Sequence, residues 1–150
     1  MTSHPCQGNL DVMNELVERA MTVDVEAAAR AAMDAATIEV PRQVDELMGA
    51  GPLPGTPEWE VEEREGVSAK RQLAWSLASL RVELAAGLDP LPTVVGLRRI
   101  GATWELIARA TGVSRQAAHE RWGQKVLAVL DRYGTGELGG PVADDETDLR

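Results

Sequence analysis

Phenylalanine is absent from the 150 residues, and tyrosine and cysteine occur once each. A lone Cys6 closes no internal disulfide. With only two histidines, His4 and His119, far apart in the chain, no Cys/His set with metal-ligand spacing exists. No run approaches the ~18 apolar residues that a membrane-spanning helix needs. The N-terminus has no basic stretch followed by an apolar one, so no secretory leader is expected there. Runs of Val, Ile, Thr and aromatics are short, whereas alanine and leucine abound, and this mix favours helix over strand. No Gly-rich phosphate loop, Ser/His/Asp grouping or ligand set appears. The expectation is a non-enzyme without cofactor or metal, at home in a reducing cytoplasm.

Positive charge is scarce too, and the chain is −9 overall. Residues 1–66 set four arginines against fourteen acids. Residues 134–150 set Arg150 against five acids. Between them, residues 91–133 reverse the sign. Arg98, Arg99, Arg109, Arg115, Arg121, Lys125 and Arg132 face only Glu105, Glu120 and Asp131. A basic island in an acidic chain says more about partners than the total does.

The periodicity predicts five segments. Residues 1–9 read as disordered. Residues 10–48 read as an acidic helical region. Val12, Leu16, Ala20 and Val23 share a face there, Ala27, Ala28, Ala31, Ala32, Ala35 and Ile38 continue an apolar stripe, and Asp24 is placed to cap a second helix. Pro41 is expected to break or restart that helix, since it lacks an N–H and clashes with the preceding turn. Residues 49–66 form a Gly/Pro-rich and acidic linker, with Glu58–Gly66 either a short helix or a solvated connector. Residues 67–133 hold the basic island. Residues 134–150 read as a disordered acidic tail.

Within 67–133, Leu73, Leu77, Leu80, Leu84 and Leu88 recur at spacings of four and three, and Trp75, Ser79, Val82 and Ala86 form a second stripe. A helix apolar on two sides contacts two neighbours. Thr93 is expected to cap a helix ending at Ile100. Thr103 caps the next, with Ile107 and Ala108 on its apolar face. Gly112 stops it, because the left-handed backbone of a helix end suits glycine. Val113 is expected to fill the turn and Ser114 to cap a following helix. Ala118, Trp122, Val126 and Val129 then share one face. Trp75, Trp104 and Trp122 read as core residues. Trp59 either packs across the linker or binds a partner.

This helix, tight glycine turn and helix resembles the DNA-binding helix-turn-helix family over about Val94–Leu130. Ile107, Ala108, Gly112, Val113, Ser114 and Ala118 fall at the family's signature positions. The stretch GATWELIARATGVSRQAAHERWG is also similar to small actinobacterial helix-turn-helix regulators and to the region-4-like trihelical fold of sigma factors, which binds promoter DNA. Arg121 departs from the pattern, which has an apolar residue there, and Trp122 takes that packing role one position later. The resemblance implies an all-α protein whose trihelical helix-turn-helix domain is joined to a helical N-terminal region.

The resemblance further implies that the second helix enters the major groove N-terminus first. Ser114, Arg115, Gln116, His119 and Glu120 are then the candidates for base contact. An Arg fork matches guanine, a Gln amide matches adenine, and a carboxylate accepts from cytosine or repels other bases. His119 is placed for a base acceptor or a phosphate. Glu120 alternatively pairs with Gln116 or Lys125 on its own helix. Arg98, Arg99, Thr103, Arg109, Arg121 and Lys125 are the candidates for phosphate contact. The expected partner is double-stranded DNA, bound by a nucleoid-associated transcriptional regulator. A homodimer is expected through the second stripe of the Leu73–Leu88 helix. The rival expectation is an adaptor or antitoxin whose acidic N-terminal helices bind a protein partner. A bare trihelical fold that binds only protein is a further alternative.

Overall fold

A computed structural model describes residues 5–131, and among these every regular element is an α-helix. They are α1 (Pro5–Thr22), α2 (Glu26–Met48), α3 (Pro57–Glu65), α4 (Val67–Ala85), α5 (Leu91–Arg99), α6 (Trp104–Thr111) and α7 (Arg115–Leu130). The expected disordered tail at 134–150 lies outside the described residues. None of the helices is long and apolar enough to cross a membrane, among the described residues. The chain divides into two compact units, Met1–Thr37 and Ile38–Arg150.

The first unit holds α1 and the start of α2. Helix begins at Pro5 rather than Leu10, so residues 5–9 are not the disordered stretch expected. Asp24 accepts from the N–H of Glu26 at 2.9 Å and so opens α2 as anticipated. No described residue of this unit is buried.

Pro41 does not interrupt α2, which runs unbroken to Met48. The carbonyl deprived of its donor is that of Thr37, an exposed residue, so water can take the place of the lost helical bond. Arg42 brackets the proline with ion pairs to Glu39, at 2.5 Å, and to Glu46. The Arg42 guanidinium, followed by the Gln43 amide, holds the Glu39 carboxyl at about 2.

The second unit contains the hydrophobic core, and it begins earlier than the expected linker. Val40 and Val44 are buried, and the Trp75 indole N–H donates to Asp45 at 2.8 Å. Residues 57–65 form α3, whose Thr56 cap accepts from the N–H of Trp59. Arg71 of α4 holds Glu62 of α3 through two hydrogen bonds, at 2.6 and 3.1 Å. The stretch expected to be a linker is therefore built into the second unit, and the division falls inside α2. Gly and Pro mark where helices end, but they carry no information about whether the next helix packs back.

Burial at Leu80, Val94, Leu97, Trp104, Ile107, Ala118, Trp122, Val126 and Leu130 fixes the arrangement of α4 to α7. Leu73, Leu77 and Leu84 pack against this cluster from α4, as the leucine stripe predicts. The second stripe is divided. Trp75 is tied to Asp45, Ser79 is buried and donates to the carbonyl of Trp75, and Ala86 is exposed. The chain's own Asp45 segment thus meets the part of that stripe on which the expectation of a dimer rested. Thr93 does not cap α5. That helix starts at Leu91, whose N–H is taken by Asp89, and the Thr93 hydroxyl inside it donates to Glu83 at 2.7 Å.

Candidate functional site

Two local devices set the junction between α6 and α7. Thr103 accepts from the N–H of Leu106 at 3.2 Å and Ser114 from the N–H of Ala117 at 3.1 Å, so each hydroxyl satisfies a first-turn donor. Between them Gly112 takes φ 74°, and its N–H bonds the carbonyl of Ala108 at 2.9 Å. A side chain at that φ is strained, so the turn stays tight only with glycine. Ala108, almost fully buried, keeps the two helices close. Val113 does not fill the turn but is 37% exposed.

The rotation of α7 follows from what it buries. Ala118, Trp122, Gly123, Val126 and Leu130 are buried, and Val129, expected among them, is 46% exposed. Steps of four from Ala118 lead to Leu130, and Val129 falls one residue short of that line. Trp122 does take the packing position, which leaves Arg121 exposed with its guanidinium 5.0 Å from the Trp122 ring centre.

That one-residue shift rearranges the base-contact candidates. Gln116 and Glu120 stand on the exposed face, linked by a 2.9 Å hydrogen bond from the Gln116 amide to the carboxylate. Ser114 is exposed, with its hydroxyl oxygen already accepting in the cap. Arg115 and His119, four residues apart, sit at the edge of the buried arc and are half-buried. The His119 ring meets Trp104 edge-on at 5.4 Å. A Cβ on Gly123 would come within 3.1 Å of His119 Nε2, so the glycine makes room for that ring. His119 therefore packs between α6 and α7 instead of standing out toward a base. Gln124, absent from the candidates, lies one turn beyond Glu120 on the exposed face. The signal that finds it is the spacing of four that continues the line of Gln116 and Glu120 along α7.

The phosphate candidates separate as well. Arg98 is 4% exposed, its guanidinium donates to the carbonyl of Ala102 at 2.7 Å, and it lies 4.9 Å from the Trp104 ring centre. It fastens the turn between α5 and α6 and is too deep to meet a phosphate. Its position four residues before Ala102 puts that carbonyl within reach of a long side chain. Arg99, Arg109, Arg121 and Lys125 are exposed, and among the described residues none of them forms an ion pair. Thr103 is half-buried, and its oxygen serves the cap. Arg81 was not foreseen. With Arg109 it borders a groove of about 530 Å³ between α4 and α6, floored by Leu77 and Leu106.

A titratable group sits behind this surface. Glu83 carries a buried carboxylate oxygen, Oε2, with no hydrogen-bond partner. Burial pushes its carboxyl above the usual range, nearby Asp89 adds to the shift, and the bond from Thr93 opposes it. Among the described residues no group of three His, Cys, Asp or Glu side chains is placed to hold a metal ion. Comparison with protein-family models, curated proteins and solved structures finds no match to this chain.

Proposed function

We propose that the chain is a sequence-specific double-stranded DNA-binding protein, a transcriptional regulator acting in the cytoplasm at the nucleoid, with α7 as its reading helix. The observation that carries this is the outward face of α7. It offers Gln116, Glu120, Arg121 and Gln124 in a chain of net charge −9, together with the exposed cations Arg99, Arg109 and Lys125, none of which forms an ion pair among the described residues. Gln amides suit adenine and Glu120 suits a cytosine amino group, while the flanking cations suit phosphates on either side. The α6–Gly112–α7 turn supports the reading because a capped helix joined by a tight glycine turn to a shorter one is the arrangement that sets a helix in a major groove. A homodimer belongs to the proposal, since one such helix reads too few base pairs for a regulatory site. No catalytic step, cofactor or metal enters it.

Selection of duplexes from a random pool by the full chain tests the proposal. The selected site should bind better than its scrambled version, with affinity falling steeply as salt rises. Gln116→Ala and Gln124→Ala should each lose about 1–3 kcal/mol of preference at one base pair. Arg99→Ala should weaken all duplexes alike and reduce the salt slope by ~0.9. Equal binding to selected and scrambled duplexes would sink the reading. The second reading, an adaptor or antitoxin, draws on the exposed apolar faces of the acidic N-terminal helices, and it is the one left if DNA is not bound.

A further inference from the structure

α1 divides cleanly along its length. At about 100° per residue, Leu10, Val12, Met13, Leu16, Val17 and Met21 fall within one half of the helix circumference. Asp11, Asn14, Glu15, Glu18 and Arg19 fall within the other. The apolar half is 53–80% exposed. A face this wide exceeds the narrow seam of a two-stranded coil and has the width of a helix in a bundle core. Large exposed apolar patches rimmed by polar residues mark interaction surfaces.

We infer that this face is where a second copy of the chain docks, forming a two-fold dimer through α1. Three observations select that occupant. The apolar half of α1 exposes the six large side chains named above. At roughly 60–120 Å² each, the area behind about 1.5–3 kcal/mol of burial, they offer roughly 350–700 Å² per chain, which reaches the lower end of the roughly 600–1,000 Å² per partner of a stable interface. The chain's own tail fits poorly, because residues 134–150 carry five acids and only Leu138, Val142 and Leu149 as large apolar groups. A membrane surface fits poorly as well, since the polar half of α1 is acidic where surface-lying helices are basic. In a self-paired α1 the apolar halves face each other and the acidic halves point apart, so like charges stay at the greatest separation. Choosing a second copy rests in part on the DNA-binding reading, which calls for two half-sites; the exposed face does not. The interface differs from the α4 stripe that the sequence suggests.

Sedimentation of the full chain without DNA tests this. Wild type should run at about twice the 16.1 kDa chain mass at micromolar concentration. Met13→Glu with Leu16→Glu should return it to one chain mass, while Glu15→Gln with Glu18→Gln, on the polar half, should leave it dimeric. Far-UV circular dichroism checks that α1 and α2 stay helical, and tryptophan fluorescence checks the second unit, where Trp59, Trp75, Trp104 and Trp122 all lie. A monomeric wild type, or a dimer indifferent to Met13→Glu with Leu16→Glu, overturns the inference. So does a monomer that sediments with vesicles of anionic phospholipid. A dimer that shows no preference among duplexes would sink the DNA reading and leave this one standing.

Discussion

The two units of this protein use helix in opposite ways. In Met1–Thr37 the helices carry apolar residues at regular spacing, yet no described side chain is buried. In the second unit the same kinds of residue close a core in which Trp104, Leu80, Leu97, Ile107, Val44, Val94 and Val126 are shielded almost completely. Alanine-rich sequence and the Asp24 cap favour α2 as a helix, but stability in water comes mostly from burial of an apolar face. The second unit buries a core of its own, and the first does not.

Cavity-forming substitutions should separate the units most sharply. Trp104→Ala should destabilise the second unit by about 3–5 kcal/mol, since it empties a buried indole site and removes the surfaces that Arg98 and His119 rest on. Met21→Ala, at an 80% exposed position, should change unfolding of the isolated chain by no more than about 0.5 kcal/mol. Urea titration followed by far-UV circular dichroism, which sees the helices of both units, reads both, and equal effects would abolish the contrast.

Truncation locates the division itself. Removing residues 1–37 should leave unfolding of the remainder within about 0.5 kcal/mol. Removing 1–66 should cost about 3 kcal/mol or more, because two buried valines go, each worth about 1.5–3 kcal/mol, and Trp75 and Arg71 lose Asp45 and Glu62. If the fragments 38–150 and 67–150 unfold at the same urea concentration, the boundary belongs at the Gly/Pro stretch after all.

The smallest effect tests the interior of the second unit alone. Glu83 has its pKa raised in the fold, so the folded state binds its proton more tightly than the unfolded chain does. Its contribution is favourable below the carboxyl's unfolded value and is lost as pH rises through the folded one. Glu83→Gln removes that dependence and should stabilise the protein near pH 7 by at most about 1 kcal/mol, with the gain shrinking toward pH 4. Melting curves at the two pH values check it, and a larger gain at pH 4 would reverse the assigned sign.

Much of this was legible in the residues. The caps Asp24, Thr103 and Ser114, the stop at Gly112, the leucine stripe of α4 and the buried Trp122 all follow from local rules that operate within a few residues. The candidate site was legible in part. Gln116 and Glu120 are exposed, but His119 and Arg98 face inward, and Gln124, exposed on the same line, was not among the candidates. Which side of a helix points outward depends on the neighbour it packs against: His119 meets Trp104 of α6, and Arg98 of α5 meets the carbonyl of Ala102.

The sequence by itself determined that the chain is helical, where most helices start and stop, and that positive charge gathers between residues 91 and 133. Propensity, capping and charge are properties of a residue and its near neighbours. Tertiary structure alone decided that residues 38–66 join the second unit and that Arg98 is buried at a turn. Each depends on which surfaces meet across long separations in sequence. That is settled by summing burial over the whole chain, and no local pattern encodes it.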